Sequence, residues 1–147
     1  MKSPFTGKEM KQVRQQRMWK FRGEEFPYNH IAYLCEDTGE LFTTDETDDQ
    51  GYEQVTKQYR AKYGIPRVEE IQALRRKYNL SAAKMSLILG FGPNQYRLYE
   101  QGEVPSISNG RLIRCAENPE TFRTLINCAK NQLKTSDYLR ILQKIRK

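Results

Sequence analysis

Residues 80–102 read LSAAKMSLILGFGPNQYRLYEQG, and this stretch decides the fold. Ser81 suits the N-cap of a helix, because its hydroxyl accepts a hydrogen bond from an N–H group of the first turn. Gly90 ends that helix and permits the positive φ that a sharp turn needs, and Gly102 ends the next helix. The pattern therefore predicts helices over residues 81–89 and 94–101, joined by a tight turn.

The spacing of the apolar residues predicts how these two helices pack. Met85 and Leu89 lie one turn apart and face inward. Ser86 is small at the point where the helices approach each other, and Tyr96 and Tyr99 fix the second helix to the core. Two short helices joined in this way are typical of a helix-turn-helix. An ordinary helical bundle with a glycine turn is the alternative.

The second helix of a helix-turn-helix presents its free face to the major groove of DNA. Amide side chains bind adenine, guanidinium groups bind guanine, and leucine contacts the methyl group of thymine. The residues that we expect to read bases are Asn94, Gln95, Arg97 and Leu98. The residues that we expect to contact phosphates are Ser81, Lys84, Ser106, Ser108 and Arg111.

The charge distribution favours a nucleic-acid partner for the second part of the chain. The net charge is +7. Residues 65–147 hold 15 Lys or Arg and 7 Asp or Glu, whereas residues 1–64 hold 10 Lys or Arg and 11 Asp or Glu. Such a basic excess favours a polyanion. Residues 23–56 contain ten Asp or Glu and no Lys or Arg. This acidic segment is either a surface for a basic protein or a solvated loop.

The whole chain predicts an α+β protein, with a small β-rich N-terminal domain and an all-α domain of five helices. Residues 18–21 and 28–34 are rich in aromatic and β-branched residues and predict strands. A helix is predicted after Thr44, and Gly64 followed by Pro66 ends it. We therefore place domains at residues 1–64 and 65–133, followed by a basic helix or tail at 134–147.

Two parts of the chain resemble known families. Residues 80–102 resemble, without a gap, the helix-turn-helix of the lambda-repressor/Xre-like family, and Pro105-Ser106-x-Ser108 resembles the start of that family's fourth helix. Residues 3–7 (SPFTG) and 35–40 (CEDTGE) stand where MqsA-type (YgiT-type) antitoxins have C-P-x-C-G and C-x-x-C-G-E. The order of ribbon, connecting helix and helix-turn-helix is also that of these antitoxins, over about residues 1–130.

The resemblance implies a degenerate zinc-ribbon-like domain in residues 1–64. The positions equivalent to the metal ligands are Ser3, Thr6, Cys35 and Thr38. Hydroxyl groups are poor zinc ligands, so we expect neither a metal nor another cofactor. The resemblance further implies a homodimer that binds a double-stranded DNA operator and represses its own operon, with a protein toxin as partner. Asn94 matches the family's base-contacting Asn, whereas Leu98 stands where the family has Arg.

Other classes of protein are disfavoured. His30 is the only histidine, and the three cysteines form no C-x-x-C pair. No nucleophile and base can be paired from the sequence, so we do not expect an enzyme. No apolar run reaches the ~18 residues of a membrane helix, and the start lacks the apolar core of a signal peptide. We expect a cytoplasmic, nucleoid-associated bacterial protein.

Two alternatives remain open for the N-terminal domain. In the first alternative, the chain is a protein-interaction module in which residues 1–64 bind a toxin or another protein and DNA binding is secondary. Alternatively, Trp19, Phe21 and the basic residues 2–22 bind single-stranded nucleic acid, although strand aromatics usually belong to the core.

The dimer surface also remains open. One candidate is the apolar face around Phe122, Leu125 and Ile126, and the other is the tail from Tyr138 to Ile145. The alternative is that both segments pack on their own domain and form no dimer surface.

Overall fold

The structure, a computed structural model, describes residues 1–145 and separates the chain into two units. The first is Met1–Tyr59 and the second begins at Arg60. This division falls inside a helix, α1 (Asp45–Tyr63), and five residues before the predicted boundary. Arg60, the first residue of the second unit, is buried and donates hydrogen bonds to the carbonyl groups of Pro66, at 2.6 Å, and Gly102, at 3.4 Å.

The first unit contains one antiparallel sheet of three strands in the order β1-β2-β3. The strands are β1 (Lys11–Phe21), β2 (Glu24–Leu34) and β3 (Leu41–Phe42). Arg22 and Gly23 join β1 to β2 with φ angles of 50° and 85°, as in a two-residue hairpin turn of positive φ. The two predicted strands are therefore confirmed, but they are longer than expected.

Helix α1 packs against one face of this hairpin through aromatic rings. Trp19 lies 5.5 Å from Tyr28 and 6.0 Å from Tyr52, and Phe21 lies 5.0 Å from Tyr59, measured between ring centroids. Gly51 permits the close approach, since a Cβ atom there would lie 3.0 Å from the Tyr28 ring. Trp19 and Phe21 thus take part in this packing, and both rings remain half-buried.

The second unit is helical, and its helices follow the predicted order closely. They are α2 (Val68–Tyr78), α3 (Ala82–Leu89), α4 (Gln95–Glu100), α5 (Ile107–Ala116), α6 (Pro119–Cys128) and α7 (Thr135–Ile145), with a 3₁₀ turn at Lys130–Gln132. The chain as a whole is therefore α+β. Residues 135–145 of the predicted tail form a helix, while Arg146 and Lys147 lie outside the described residues.

The core of the second unit includes the apolar faces that were candidates for a dimer surface. Phe122 and Ile126 are fully buried, and the Phe122 ring stacks on Tyr78 with 4.0 Å between centroids. Ile141 and Ile145 of α7 are buried in the same core. Both faces therefore pack on their own unit.

Within residues 1–145, no helix combines the length and apolar character that crossing a membrane requires.

Gly110 provides a test of the packing between the segment after α1 and helix α5. A Cβ atom at Gly110 would lie 2.8 Å from Ile65 Cγ1, and Ile65 is buried. We expect Gly110→Ala to lower the free energy of unfolding by about 1 kcal/mol, because overpacking costs about 1–3 kcal/mol and the gain in helix propensity is about 1 kcal/mol. Urea denaturation followed by circular dichroism measures this change.

Gly92→Ala is the matched control, since no atom lies within 4 Å of a Cβ placed there. It should change the midpoint of unfolding far less. A Gly110→Ala protein as stable as the unsubstituted chain would contradict the close contact with Ile65.

Candidate nucleic-acid interface

Local capping interactions set the ends of α3 and the turn that follows it. The Ser81 hydroxyl accepts a hydrogen bond from the Lys84 N–H group at 3.1 Å, so Ser81 is the N-cap that the sequence predicted. Gly90 ends the helix with a φ of 78°, which a residue with a side chain rarely adopts. The chain then turns through residues 91–94 and enters α4 at Gln95.

The inner face of α4 is fastened by three hydrogen bonds. The buried Ser86 hydroxyl accepts a hydrogen bond from the Tyr96 N–H group at 3.0 Å, which joins α3 to α4. The Tyr96 hydroxyl donates to the Ile71 carbonyl of α2, and burial raises the pKa of this tyrosine. The Asn109 side chain of α5 donates to the Tyr99 hydroxyl at 3.0 Å. Helix α4 therefore has a fixed orientation with respect to α2, α3 and α5.

An ion pair that the sequence did not reveal adds to this attachment. The Arg75 guanidinium of α2 donates to both carboxylate oxygens of Glu100, the last residue of α4. Gln72 also donates to the Glu100 carbonyl at 3.1 Å. The partners are 25 residues apart, and no local pattern in the sequence marks such a pair. Glu100 thus holds α4 against α2.

The outer face of α4 carries three of the four residues predicted to read bases. Asn94, Arg97 and Leu98 are exposed, and successive residues are ~100° apart around a helix, so these three share the side opposite Tyr96 and Tyr99. The Asn94 side chain makes no capping hydrogen bond although it stands at the N-cap. Arg97 has no ion-pair partner in the described part of the chain. The polar groups of this face are therefore available to a ligand.

The fourth predicted base-reading residue, Gln95, is placed differently. It is half-buried at the flank of α4, and its amide nitrogen donates to a carboxylate oxygen of Glu103 at 3.2 Å. Gln95 is thus already engaged within the unit. Glu103 is a neighbour that the sequence pattern did not single out.

The residues predicted to contact phosphates fall into two groups. Ser81, Ser106 and Ser108 are exposed at the first residues of α3 and α5, and the Ser106 and Ser108 hydroxyls lie 3.3 Å apart. In contrast, the Lys84 ammonium group forms an ion pair with Asp137 of α7 at 3.0 Å, and Arg111 donates to the Tyr63 carbonyl at 3.3 Å. The prediction for Lys84 did not foresee this partner, because α7 lies 53 residues further along the chain.

Acidic side chains of the second unit are mostly held in ion pairs within it. The acidic residues with a Lys or Arg partner are Glu70, Glu100, Glu117 and Asp137. Hydrogen bonding from Arg114 lowers the pKa of Glu70 to about 2, so this carboxylate stays charged at neutral pH. Arg76 and Arg97 have no ion-pair partner among residues 1–145. The basic excess of this unit is therefore partly neutralised but still present near α4.

The N-terminal residues with metal-ligand spacing form two similar turns. The Gly7 N–H group donates to the Ser3 carbonyl at 2.9 Å, and the Gly39 N–H group donates to the Cys35 carbonyl at 2.7 Å. Both glycines have a φ of 72°. The turns bring the Ser3 hydroxyl within 3.2 Å of the Cys35 sulfur. One position equivalent to a metal ligand on each turn, Ser3 and Cys35, is therefore in contact with the other.

Hydroxyl groups surround the Cys35 thiol, which is buried. Hydrogen bonds from Ser3 and Thr38 lower the pKa of this thiol to about 7. The Thr6 hydroxyl instead accepts a hydrogen bond from the Lys8 N–H group at 3.4 Å. Among residues 1–145, no group of three or more His, Cys, Asp or Glu side chains lies close enough together to hold a metal ion.

Comparison with known proteins assigns no family to this chain. No protein-family model matches it, and no curated protein matches its sequence.

The convergence of the two turns predicts that cysteines would convert them into a metal site. We expect the triple variant Ser3→Cys, Thr6→Cys and Thr38→Cys to bind about one zinc ion with Cys35, since four thiolates at this spacing satisfy tetrahedral zinc. Metal analysis after dialysis and the visible spectrum of the cobalt-loaded protein measure the site. Thermal unfolding should shift upward with zinc, because metal binding couples to folding.

The unsubstituted chain and the single variant Thr6→Cys are the controls, and both should retain little zinc after dialysis. A triple variant that folds but does not retain zinc would mean that the four positions do not converge.

Proposed function

We propose that this chain is a sequence-specific DNA-binding regulator in which α3 and α4 form a helix-turn-helix. The observation that carries the proposal is the division of α4 into two faces. Tyr96 and Tyr99 are buried on the inner face. Asn94, Arg97 and Leu98 are exposed on the outer face. A helix held this rigidly, with open polar groups, fits the major groove of a duplex.

The chemistry of the outer face suits base pairs. The amide of Asn94 offers one donor and one acceptor, which match the exposed edge of adenine. The guanidinium of Arg97 matches guanine, and Leu98 fits a thymine methyl group. Because Leu98 stands where lambda-repressor-like proteins have Arg, we do not transfer their operator to this chain.

The neighbouring helix ends supply contacts to the backbone of the duplex. Ser81, Ser106 and Ser108 are placed at the first turns of α3 and α5, where N–H groups and hydroxyls favour phosphate. Arg111 adds positive charge on α5. Lys84 contributes less than the sequence suggested, because Asp137 neutralises it.

The same proposal covers the rest of the chain. The first unit is a ribbon-like domain without its metal, and the protein is the antitoxin of a toxin–antitoxin pair that represses its own operon in the bacterial cytoplasm. One such domain makes few contacts, so tight specific binding calls for a homodimer on a pseudo-twofold operator. The dimer surface lies outside the buried faces of α6 and α7.

A second candidate function is supported by the acidic surface of the first unit. Every acidic residue between Glu36 and Glu53 is exposed. An exposed acidic surface favours association with a basic protein, such as a toxin. In this case the first unit supplies the main activity and DNA binding is secondary.

DNA binding is tested with Asn94→Ala and Arg97→Ala in the full chain. We expect each variant to lose about 1–3 kcal/mol of binding free energy for the preferred duplex, or roughly 5- to 150-fold in affinity, because each removes a base contact. Footprinting of the promoter of its own gene and titration at physiological salt provide the measurement.

Asn131→Ala and Arg76→Ala are matched controls on other surfaces of the second unit. The first should leave the affinity unchanged, and the second should lower it at most uniformly for all sequences. If Asn94→Ala and Arg97→Ala bind as tightly as the unsubstituted chain, α4 does not lie in the groove.

The protein-binding candidate is tested with the product of the neighbouring gene. We expect Asp49→Asn combined with Glu53→Gln to slow association and weaken its salt dependence, since surface charges act mainly on the association rate. Surface plasmon resonance with Glu69→Gln as control measures this. Unchanged association of the double variant, or no complex at all, would remove the acidic surface from the proposal.

A further inference from the structure

Glu103 is a carboxylate at the edge of the proposed DNA-reading surface that has only one side-chain partner. It accepts a hydrogen bond from the Gln95 amide nitrogen at 3.2 Å and forms no ion pair with any residue of the described range 1–145. Because a carboxylate only accepts hydrogen bonds, the nitrogen of the Gln95 amide must face Glu103. The contact therefore fixes which way this amide points.

The backbone holds Glu103 firmly in place. Its N–H group donates to the Leu98 carbonyl at 3.1 Å, and its own carbonyl accepts from the buried Arg60 guanidinium at 3.5 Å. The next two residues, Val104 and Pro105, are buried. The backbone of Glu103 is thus fixed relative to α4, although its side chain is exposed.

The charge of Glu103 works against DNA affinity. A carboxylate beside a phosphate backbone repels it, and the second unit otherwise presents a basic excess. Such a group reduces binding to every sequence equally, so it is useful only if it improves the discrimination between sequences.

We infer that Glu103 is a positioning residue that orients Gln95 for adenine, an inference that rests on the proposed function. One hydrogen of the Gln95 amide nitrogen is directed to Glu103. The second hydrogen and the amide oxygen remain, and together they match N7 and the N6 amino group of adenine. Because Glu103 holds the Gln95 amide before DNA binds, the opposite orientation of the amide, in which the donor and acceptor are exchanged, is disfavoured.

The test compares Gln95→Ala, Glu103→Ala and Glu103→Gln in the full chain against duplexes that carry each base in turn at every operator position. We expect Gln95→Ala to reduce the preference for adenine over other bases about tenfold at one base pair of each half-site. Glu103→Ala should lose most of the same preference while binding the duplexes without that adenine more tightly. Glu103→Gln should also bind all duplexes more tightly but keep the preference, because its amide oxygen still accepts from Gln95.

The double variant Gln95→Ala with Glu103→Ala completes the cycle. If Glu103 acts through Gln95, the double variant loses no more of the adenine preference than Gln95→Ala alone. Circular dichroism and thermal unfolding check that the fold is intact, which the exposure of Glu103 and the partial exposure of Gln95 favour.

Several outcomes would overturn the inference. Glu103→Ala with an unchanged adenine preference would show that Glu103 does not orient Gln95. Loss of the preference in Glu103→Gln would assign the effect to charge. Loss of a preference for cytosine would mean that Glu103 reads a base itself. In each case Asn94→Ala still weakens specific binding, whereas failure of the proposed function leaves the unsubstituted chain with no sequence preference at all.

Discussion

The close approach of α3 and α4 depends on Ser86. Its side chain is small enough to be fully buried between the helices, and its hydroxyl accepts the hydrogen bond of the Tyr96 N–H group. The first N–H groups of a helix have no partner within the helix, and α4 has only six residues. A helix this short is not stable alone, so its orientation comes from Ser86 and from the two buried tyrosines. The outward direction of Asn94 and Arg97 follows from this packing.

Several charged side chains of the second unit form ion pairs that hold its helices together and are therefore less available to a ligand. The pairs Arg75–Glu100, Arg114–Glu70 and Lys84–Asp137 each join two helices that are distant in sequence. Each pair also neutralises one cation, so the formal charge overstates the positive field that a duplex would meet. Arg97 is not part of these pairs. A cation on the outer face of α4 without a protein partner is therefore more significant for binding than the total charge.

Short-range signals explain what could be predicted from the sequence. Ser81, Gly90 and Ser106 act on neighbouring backbone groups, so they located the starts and ends of helices to within a residue or two. The extent of β1 was missed because residues 11–17 are mostly polar, and pairing with β2 rather than propensity extends the strand. Docking of α7 and the partner of Lys84 could not be predicted, since an amphipathic pattern does not identify the surface that it contacts. Glu103 was missed for the same reason.

Under the proposed function, the first unit obtains its stability without a metal ion. A small unit buries little apolar surface, and a structural zinc site contributes about 10–16 kcal/mol where one exists. The hydrogen bond between Ser3 and Cys35 is worth only about 1 kcal/mol. The aromatic residues must therefore supply most of the stabilisation, which explains why Trp19, Phe21, Tyr52 and Tyr59 are all in contact across the hairpin and α1. In this unit the two glycine turns bring Ser3 and Cys35 together, and the aromatic rings hold the hairpin to the helix.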